Sequence, residues 1–199
     1  MIHQRTSLNS ENINEIGNNL KQGGIGIIPT DTIYGIVGSA LNPETIERIY
    51  ELRKREKNKP MIILLSSLKD LERFEVRLSE KQEEFLIKNW PNSLSVVLRC
   101  ESEKFKYLHR GKNSLAFRIP KDKFLLDLLS LSGPLVAPSA NFEGEKPSEI
   151  IDQAINYFGK NVDFYIDGGK LVSTPSTLIK LNGDASFEII RQGSYRLQN

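Results

Sequence analysis

Ile25-Gly26-Ile27-Ile28-Pro29-Thr30-Asp31-Thr32-Ile33-Tyr34-Gly35 sets an apolar run directly against a hydroxyl-rich turn. Residues 25–28 read as a buried strand because three isoleucines fill it, and Pro29, with no N–H to donate, ends the ladder. Thr30, Asp31, Thr32 and Tyr34 are thereby presented at a strand's carboxyl end, where open α/β sheets place ligands. Pro, Thr, Asp and Gly are also ordinary turn residues, so the local sequence admits both a ligand loop and a well-made turn.

On the amino side, Ser10 is placed to cap a helix carrying Ile13, Ile16 and Leu20 at helical spacing, and Gly23-Gly24 ends it. On the carboxyl side, residues 35–40 are small and apolar, fitting a closely packed strand or turn. Asn42-Pro43 then opens a helix with a capping side chain and proline at its first position, burying Ile46, Ile49, Tyr50 and Leu52. Residues 61–65, Met-Ile-Ile-Leu-Leu, read as a strand apolar on both faces. Ser79 starts a further helix that turns Phe85, Leu86 and Trp90 inward and stops at Pro91.

Residues 94–98 and 115–119 are expected strands, and the charged stretch between them, 101–114, reads as an exposed connection. A helix over 121–131 and a strand over 134–137 lead to Pro138-Ser139-Ala140-Asn141-Phe142-Glu143-Gly144, a second polar turn after an apolar strand. A helix is expected to open at Pro147, with Ile150, Ile151, Ala154, Ile155 and Phe158 on one side. Strands are expected at 162–166, 177–181 and 187–191. Strands and helices mixed without strict βαβ alternation predict one α/β domain over 1–199, a twisted mixed sheet flanked by helices.

Composition narrows the chemistry. The chain has 199 residues, 39% hydrophobic and 26% charged, a length suited to one substantial core. A polar start without a secretory apolar region and a single cysteine, Cys100, predict a cytoplasmic protein in a reducing compartment, without a membrane span. Two histidines, His3 and His109, give little material for a zinc site or a Ser-His-Asp triad, and no protein-bound metal is expected. A net charge of +2 is too small to announce a nucleic-acid binder. Local clustering says more: residues 53–59, Arg-Lys-Arg-Glu-Lys-Asn-Lys, carry five cations against one carboxylate, and Lys104, Lys106, Arg110 and Lys112 form a looser group. The first cluster also suits a helix C-terminus, where cations complement the macrodipole.

Familiar nucleotide motifs fail. Gly24-x-Gly26 precedes a strand and lacks a third glycine, and Gly111-Lys112 and Gly169-Lys170 lack the remainder of a Walker A loop. Five elements in order are more specific: the 29–35 turn, Arg53-Lys54-Arg55, Phe117-Arg118-Ile119-Pro120, Pro138-Ser139-Ala140-Asn141, and Ser176-Thr177 with Arg191-Gln192-Gly193. Over about residues 24–193 they resemble the YrdC-like family of threonylcarbamoyl-AMP synthases, in a short form without the extra C-terminal domain of longer members.

The resemblance implies a YrdC-like fold with a basic concave face. It also implies a reaction in which L-threonine and bicarbonate or carbon dioxide form a carbamate that attacks the α-phosphate of ATP, brought as its Mg²⁺ complex. The products are threonylcarbamoyl-AMP and pyrophosphate, and a separate transferase would pass the threonylcarbamoyl group to tRNA, with tRNA contact possible for the synthase itself.

By the same mapping Arg53, Arg55, Ser139 and Asn141 are the catalytic set and, with Arg191, the ATP-binding residues, while Thr30, Tyr34, Arg118 and Ser176 bind threonine. The residue types suit this chemistry independently: an approaching carbamate and a triphosphate repel, and forked guanidinium donors offset that repulsion. Ser139 and Asn141 could add neutral donors to the same phosphates. Arg118, flanked by Phe117 and Ile119, needs an anionic partner, either a ligand or an internal carboxylate.

Three departures stand out. Arg53 replaces the family's usual lysine, and if it fills that role Arg53→Lys should preserve activity. Asn92-Ser93-Leu94-Ser95 replaces Gly-Pro-Leu-Thr, and Lys180 stands where aspartate is common. The competing readings are a tRNA- or double-stranded-RNA-binding module using the same face, and a nucleotide-binding paralogue without this activity.

Overall fold

In the computed structural model, which describes residues 5–7, 12–172 and 174–197, ten strands form one mixed sheet. The strands are β1 (Arg5–Ser7), β2 (Ile25–Pro29), β3 (Tyr34–Ser39), β4 (Ile62–Leu64), β5 (Leu94–Arg99), β6 (Ser114–Arg118), β7 (Leu135–Val136), β8 (Phe164–Asp167), β9 (Thr177–Leu181) and β10 (Phe187–Arg191). Their order across the sheet is β1-β8-β2-β3-β7-β4-β6-β5-β9-β10. Four pairs are parallel (β1/β8, β2/β8, β4/β6, β5/β9) and five antiparallel (β2/β3, β3/β7, β4/β7, β5/β6, β9/β10). The helices are α1 (Ile13–Lys21), α2 (Pro43–Leu52), α3 (Glu80–Asn89), α4 (Lys106–His109), α5 (Lys123–Ser132) and α6 (Ile151–Phe158).

Strand alternation divides the interior in two. Ile25, Ile27, Ile36, Ile63, Phe117 and Val136 join the larger cluster with Ile46 and Ile49 of α2. Ile28, Val37, Leu64, Leu135 and Phe164 face the other way, against Ile16 and Leu20 of α1 and Leu125, Leu128 and Leu129 of α5. Gly26 lies on that second face, where a Cβ would collide with the Phe164 ring.

The helix starts at Asn42-Pro43 and Ser79 form as expected. The Asn42 side chain accepts from Thr45 N at 3.1 Å, and Ser79 and Gln82 close a capping box. The strand over 35–40 is realised as β3, which makes 25–35 the arm and loop of a β-hairpin with Pro29 opposite Tyr34. Ser10 lies outside the described residues; α1 begins at Ile13 after Asn12. β1 pairs with β8 and has no counterpart in the sequence reading.

Two expectations are corrected. Residues 101–114 are not a bare exposed connection, because Phe105, Leu108 and His109 are buried and a short 3₁₀ turn with α4 carries them. Phe105 packs against Phe74 with ring centroids 5.3 Å apart, and Tyr107 donates to Ala40 O at 2.9 Å. Nor does a helix open at Pro147. Ser148 Oγ donates to Ala140 O at 2.6 Å and Leu171 N to Glu149 O at 2.7 Å, so this stretch stays extended against the 138–144 turn until Ile151.

Cys100 is buried, donates to Phe74 O at 3.4 Å, and burial pushes its thiol up from the ordinary value. A thiol reagent at neutral pH should therefore label it negligibly in the native protein and stoichiometrically in denaturant; rapid native labelling would contradict this placement.

Candidate functional site

The two polar turns meet. Gly35 and Ser139 form an antiparallel bridge, Ile36 N donates to Pro138 O at 3.0 Å, and Ala140 N to Tyr34 O at 2.8 Å. Above this junction is a cavity of about 450 Å³. Ile62, Ala116, Arg118 and Leu178 line it from β4, β6 and β9, on strand positions that alternate with residues of the larger core. Thr30, Arg53, Arg55, Arg118, Ser139, Asn141, Ser176 and Arg191, drawn from residues 30–191 of the sequence, all line this one space. Glu143 and Glu145 also line it, so four arginines face two carboxylates.

Arg53 caps the end of α2 and is 2% exposed. Its Nε donates to Ser139 O at 2.9 Å and its Nη2 to Ser139 Oγ at 3.2 Å, while Glu143 N donates back to Arg53 O. Nη1 has no hydrogen-bond partner among the described residues. Burial, with the Arg55 cation nearby, brings this guanidinium down to about 10. Arg55 is braced by Lys59 O and Pro60 O at 3.1 and 3.2 Å and lies 3.9 Å from Glu143. Glu143 accepts from Glu56 N at 2.7 Å and from Lys59 Nζ at 2.9 Å, contacts that hold its carboxyl below the usual range.

Asn141 presents different chemistry from the donor expected. Its Nδ2 donates to Phe142 O and Glu145 O at 2.7 and 2.9 Å, which fixes the amide orientation and leaves buried Oδ1 unpartnered among the described residues. Its amide donors are spent within the turn itself.

On the opposite wall Arg118 is 4% exposed, with Nη2 3.0 Å from Asp31 Oδ1 and Nη1 donating to Thr32 Oγ1 at 3.4 Å. Burial lowers its pKa, an effect Asp31 opposes and Arg191 reinforces. Thr30 Oγ1 donates to Ile33 O at 2.7 Å and accepts from Thr32 N and Ile33 N, which shapes the hairpin loop. The 29–35 stretch is thus a closed turn, and Thr30, Thr32, Ile33 and Gly35 of it line the cavity.

Ser176 Oγ lies 2.9 Å from Ser95 Oγ, and Ser176 O accepts from Arg191 Nη2 at 2.9 Å. Tyr34 is not part of the wall. It is fully buried on the other side of β3, where its hydroxyl donates to Gly169 O at 2.8 Å and accepts from Gly168 N at 2.9 Å. Odd and even positions of a strand face opposite ways, so Gly35 reaches the cavity and its neighbour does not.

The looser cationic group lies elsewhere. Arg110 folds onto α2, 2.6 Å from Glu47 and over the Tyr50 ring, and Lys106 pairs with Glu103. Lys180 is exposed and lines a separate cleft. Thr32, Glu143 and Glu145 carry no assigned role in the sequence reading, although each sits within four residues of one that does.

A family model, Sua5/YciO/YrdC, described as telomere recombination, matches residues 18–193. The chain belongs to that family. It is 32% identical over 165 residues to the threonylcarbamoyl-AMP synthase of Pyrococcus abyssi, covering 81% of this chain and 48% of that protein. It thus spans about half the length of this curated relative. The structure of P. abyssi Sua5 complexed with L-threonine superposes with a TM-score of 0.81 at 30% identity, over 90% of this chain and 54% of the other. E. coli YciO, at 21% identity and TM-score 0.81 over 96% of this chain and 93% of its own, shares the mixed α/β fold.

Proposed function

We propose that this chain makes threonylcarbamoyl-AMP and pyrophosphate from L-threonine, bicarbonate or carbon dioxide, and ATP, a nucleotidyl transfer that supplies tRNA threonylcarbamoylation. The observation that carries this reading is the convergence of Arg53, Arg55, Arg118 and Arg191 on one cavity with Ser139 and Asn141. Such a set suits two anionic substrates, a carboxylate and a triphosphate. The similarity to P. abyssi Sua5, whose complex holds L-threonine, supports the same assignment.

In this reading Arg118 receives the threonine carboxylate, with Thr30, Thr32 and Ser176 around the amino acid. Arg53, Arg55 and Arg191 face the phosphates, and Ser139 is set by Arg53. No protein nucleophile is required, because the carbamate oxygen attacks the α-phosphorus and pyrophosphate leaves; the protein's work is to position both reactants and offset their charge. Magnesium is read as arriving on ATP, whose phosphates it would neutralise in part. No described helix is long and apolar enough to cross a membrane.

Incubation with ATP, magnesium, threonine and bicarbonate should release pyrophosphate and yield the adenylate by mass spectrometry. Release that persists without threonine would overturn the reading, as would salt-sensitive RNA binding with no turnover, which would favour an RNA-binding module instead.

A further inference from the structure

Arg118 faces the cavity but is almost wholly buried, so its charge needs an internal partner before any ligand arrives. That partner is Asp31, 3.0 Å from Nη2. Asp31 does not line the cavity, and its side chain is only 8% exposed. It therefore stands behind the arginine and does not occupy the ligand's seat.

Asp31 is itself held from behind. Its Oδ2 accepts from Ser93 Oγ at 3.2 Å. Ser93 is fixed by its own backbone, since Thr177 N donates to Ser93 O at 3.0 Å and the neighbouring Asn92 N to Ile119 O at 3.0 Å. On the other side of the guanidinium, Nη1 leans on Thr32 Oγ1, which lies 3.1 Å from Thr30 Oγ1. Nε is buried without a hydrogen-bond partner among the described residues. A planar fork held at one Nη by a carboxylate and at the other by a hydroxyl is fixed in its plane before a ligand arrives.

Resting on the function proposed above, we infer that Asp31 is the positioning residue for recognition of the substrate carboxylate. It keeps Arg118 charged and its guanidinium fixed in orientation at the cavity wall, and Ser93 locks Asp31 in that pose.

Asp31→Asn keeps the shape and the acceptor for Ser93 but removes the counter-charge. It should raise the threonine KM about 10- to 100-fold and leave the ATP KM within about twofold of wild type. Ser93→Ala should raise the threonine KM about threefold, and Ser93→Thr, which restores a hydroxyl, should reverse most of that. In an Arg118→Gln background, Asp31→Asn should add nothing further to the threonine KM.

A threonine KM that is unchanged or improved in Asp31→Asn would overturn the inference, the latter by making Asp31 a competitor for the arginine. Equal losses toward threonine and ATP, or full additivity with Arg118→Gln, would overturn it as well by reducing Asp31 to general structure. If wild type shows no threonine-dependent turnover, the functional reading fails separately. Asp31's role is then read from the Arg118 Nε–H signal in nitrogen–proton NMR: a shift in both Asp31→Asn and Ser93→Ala upholds it, and an unmoved signal overturns it.

Discussion

Arg118→Ala should lower kcat/KM for threonine by about 10²- to 10³-fold, the scale expected when one partner of a desolvated charge pair is truncated. The same substitution strands Asp31, whose side chain is 8% exposed and which would keep Ser93 as its neighbour but lose its cation. Stability should therefore fall by about 3–5 kcal/mol, measured by urea denaturation. The two losses are separable. Arg118→Ala combined with Asp31→Ala removes the stranded charge and should regain much of the stability, while threonine use stays low because the guanidinium is still missing. A double variant that recovered both would mean that Arg118 acts only on folding, and an Arg118→Ala enzyme with wild-type threonine kinetics would remove it from the site.

Arg118 also shows what a sequence can and cannot disclose. A charge between Phe117 and Ile119 on a strand demands an anion, and that demand is legible from the residues alone. Which anion answers it is not, because Asp31 is 87 positions away and reaches Arg118 only when β2, β3, β7, β4 and β6 lie side by side. Asp31 was visible as a turn residue, and its charge pairing was hidden in the strand order.

The local grammar of the chain was readable for the same physical reason. Asn42-Pro43, the Ser79 box and the 25–28 run each decide their conformation within a few residues, and the structure follows them. The failures lie where distant contacts decide. Residues 147–150 satisfy helix pattern, but Ser148 finds Ala140 O first. Residues 101–114 are charged overall, yet Phe105, Leu108 and His109 are enough to anchor them. The family resemblance groups Tyr34 with Thr30 at the threonine, and the two-residue alternation of β3, once the hairpin is known, sends its ring to the opposite face.

Arg53→Lys should lower kcat/KM for ATP about tenfold, against the expectation that a lysine at this position would preserve activity. The guanidinium is proposed to perform three tasks at once: Nε holds Ser139 O, Nη2 holds Ser139 Oγ, and Nη1, buried without a hydrogen-bond partner among the described residues, is left to meet a phosphate. An ammonium is one nitrogen on a flexible stem and cannot keep that fork. If it turns to the phosphates, the Ser139 carbonyl and hydroxyl lose a buried donor, at about 1–3 kcal/mol; if it stays on Ser139, the phosphates lose a cation. Arg53→Ala loses all three contacts and should cost about 10²- to 10³-fold, with the ATP term falling more than the threonine term because Ser139 and Asn141 share the loosened turn. Ser139→Ala in the Arg53→Lys background discriminates between the two placements of the ammonium. A lysine that serves the phosphates is little affected by losing the hydroxyl, whereas one that serves Ser139 is released toward ATP and regains part of the lost rate. Wild-type kinetics in Arg53→Lys would show that a point charge suffices at the end of α2 and that the fork to Ser139 is not part of the chemistry.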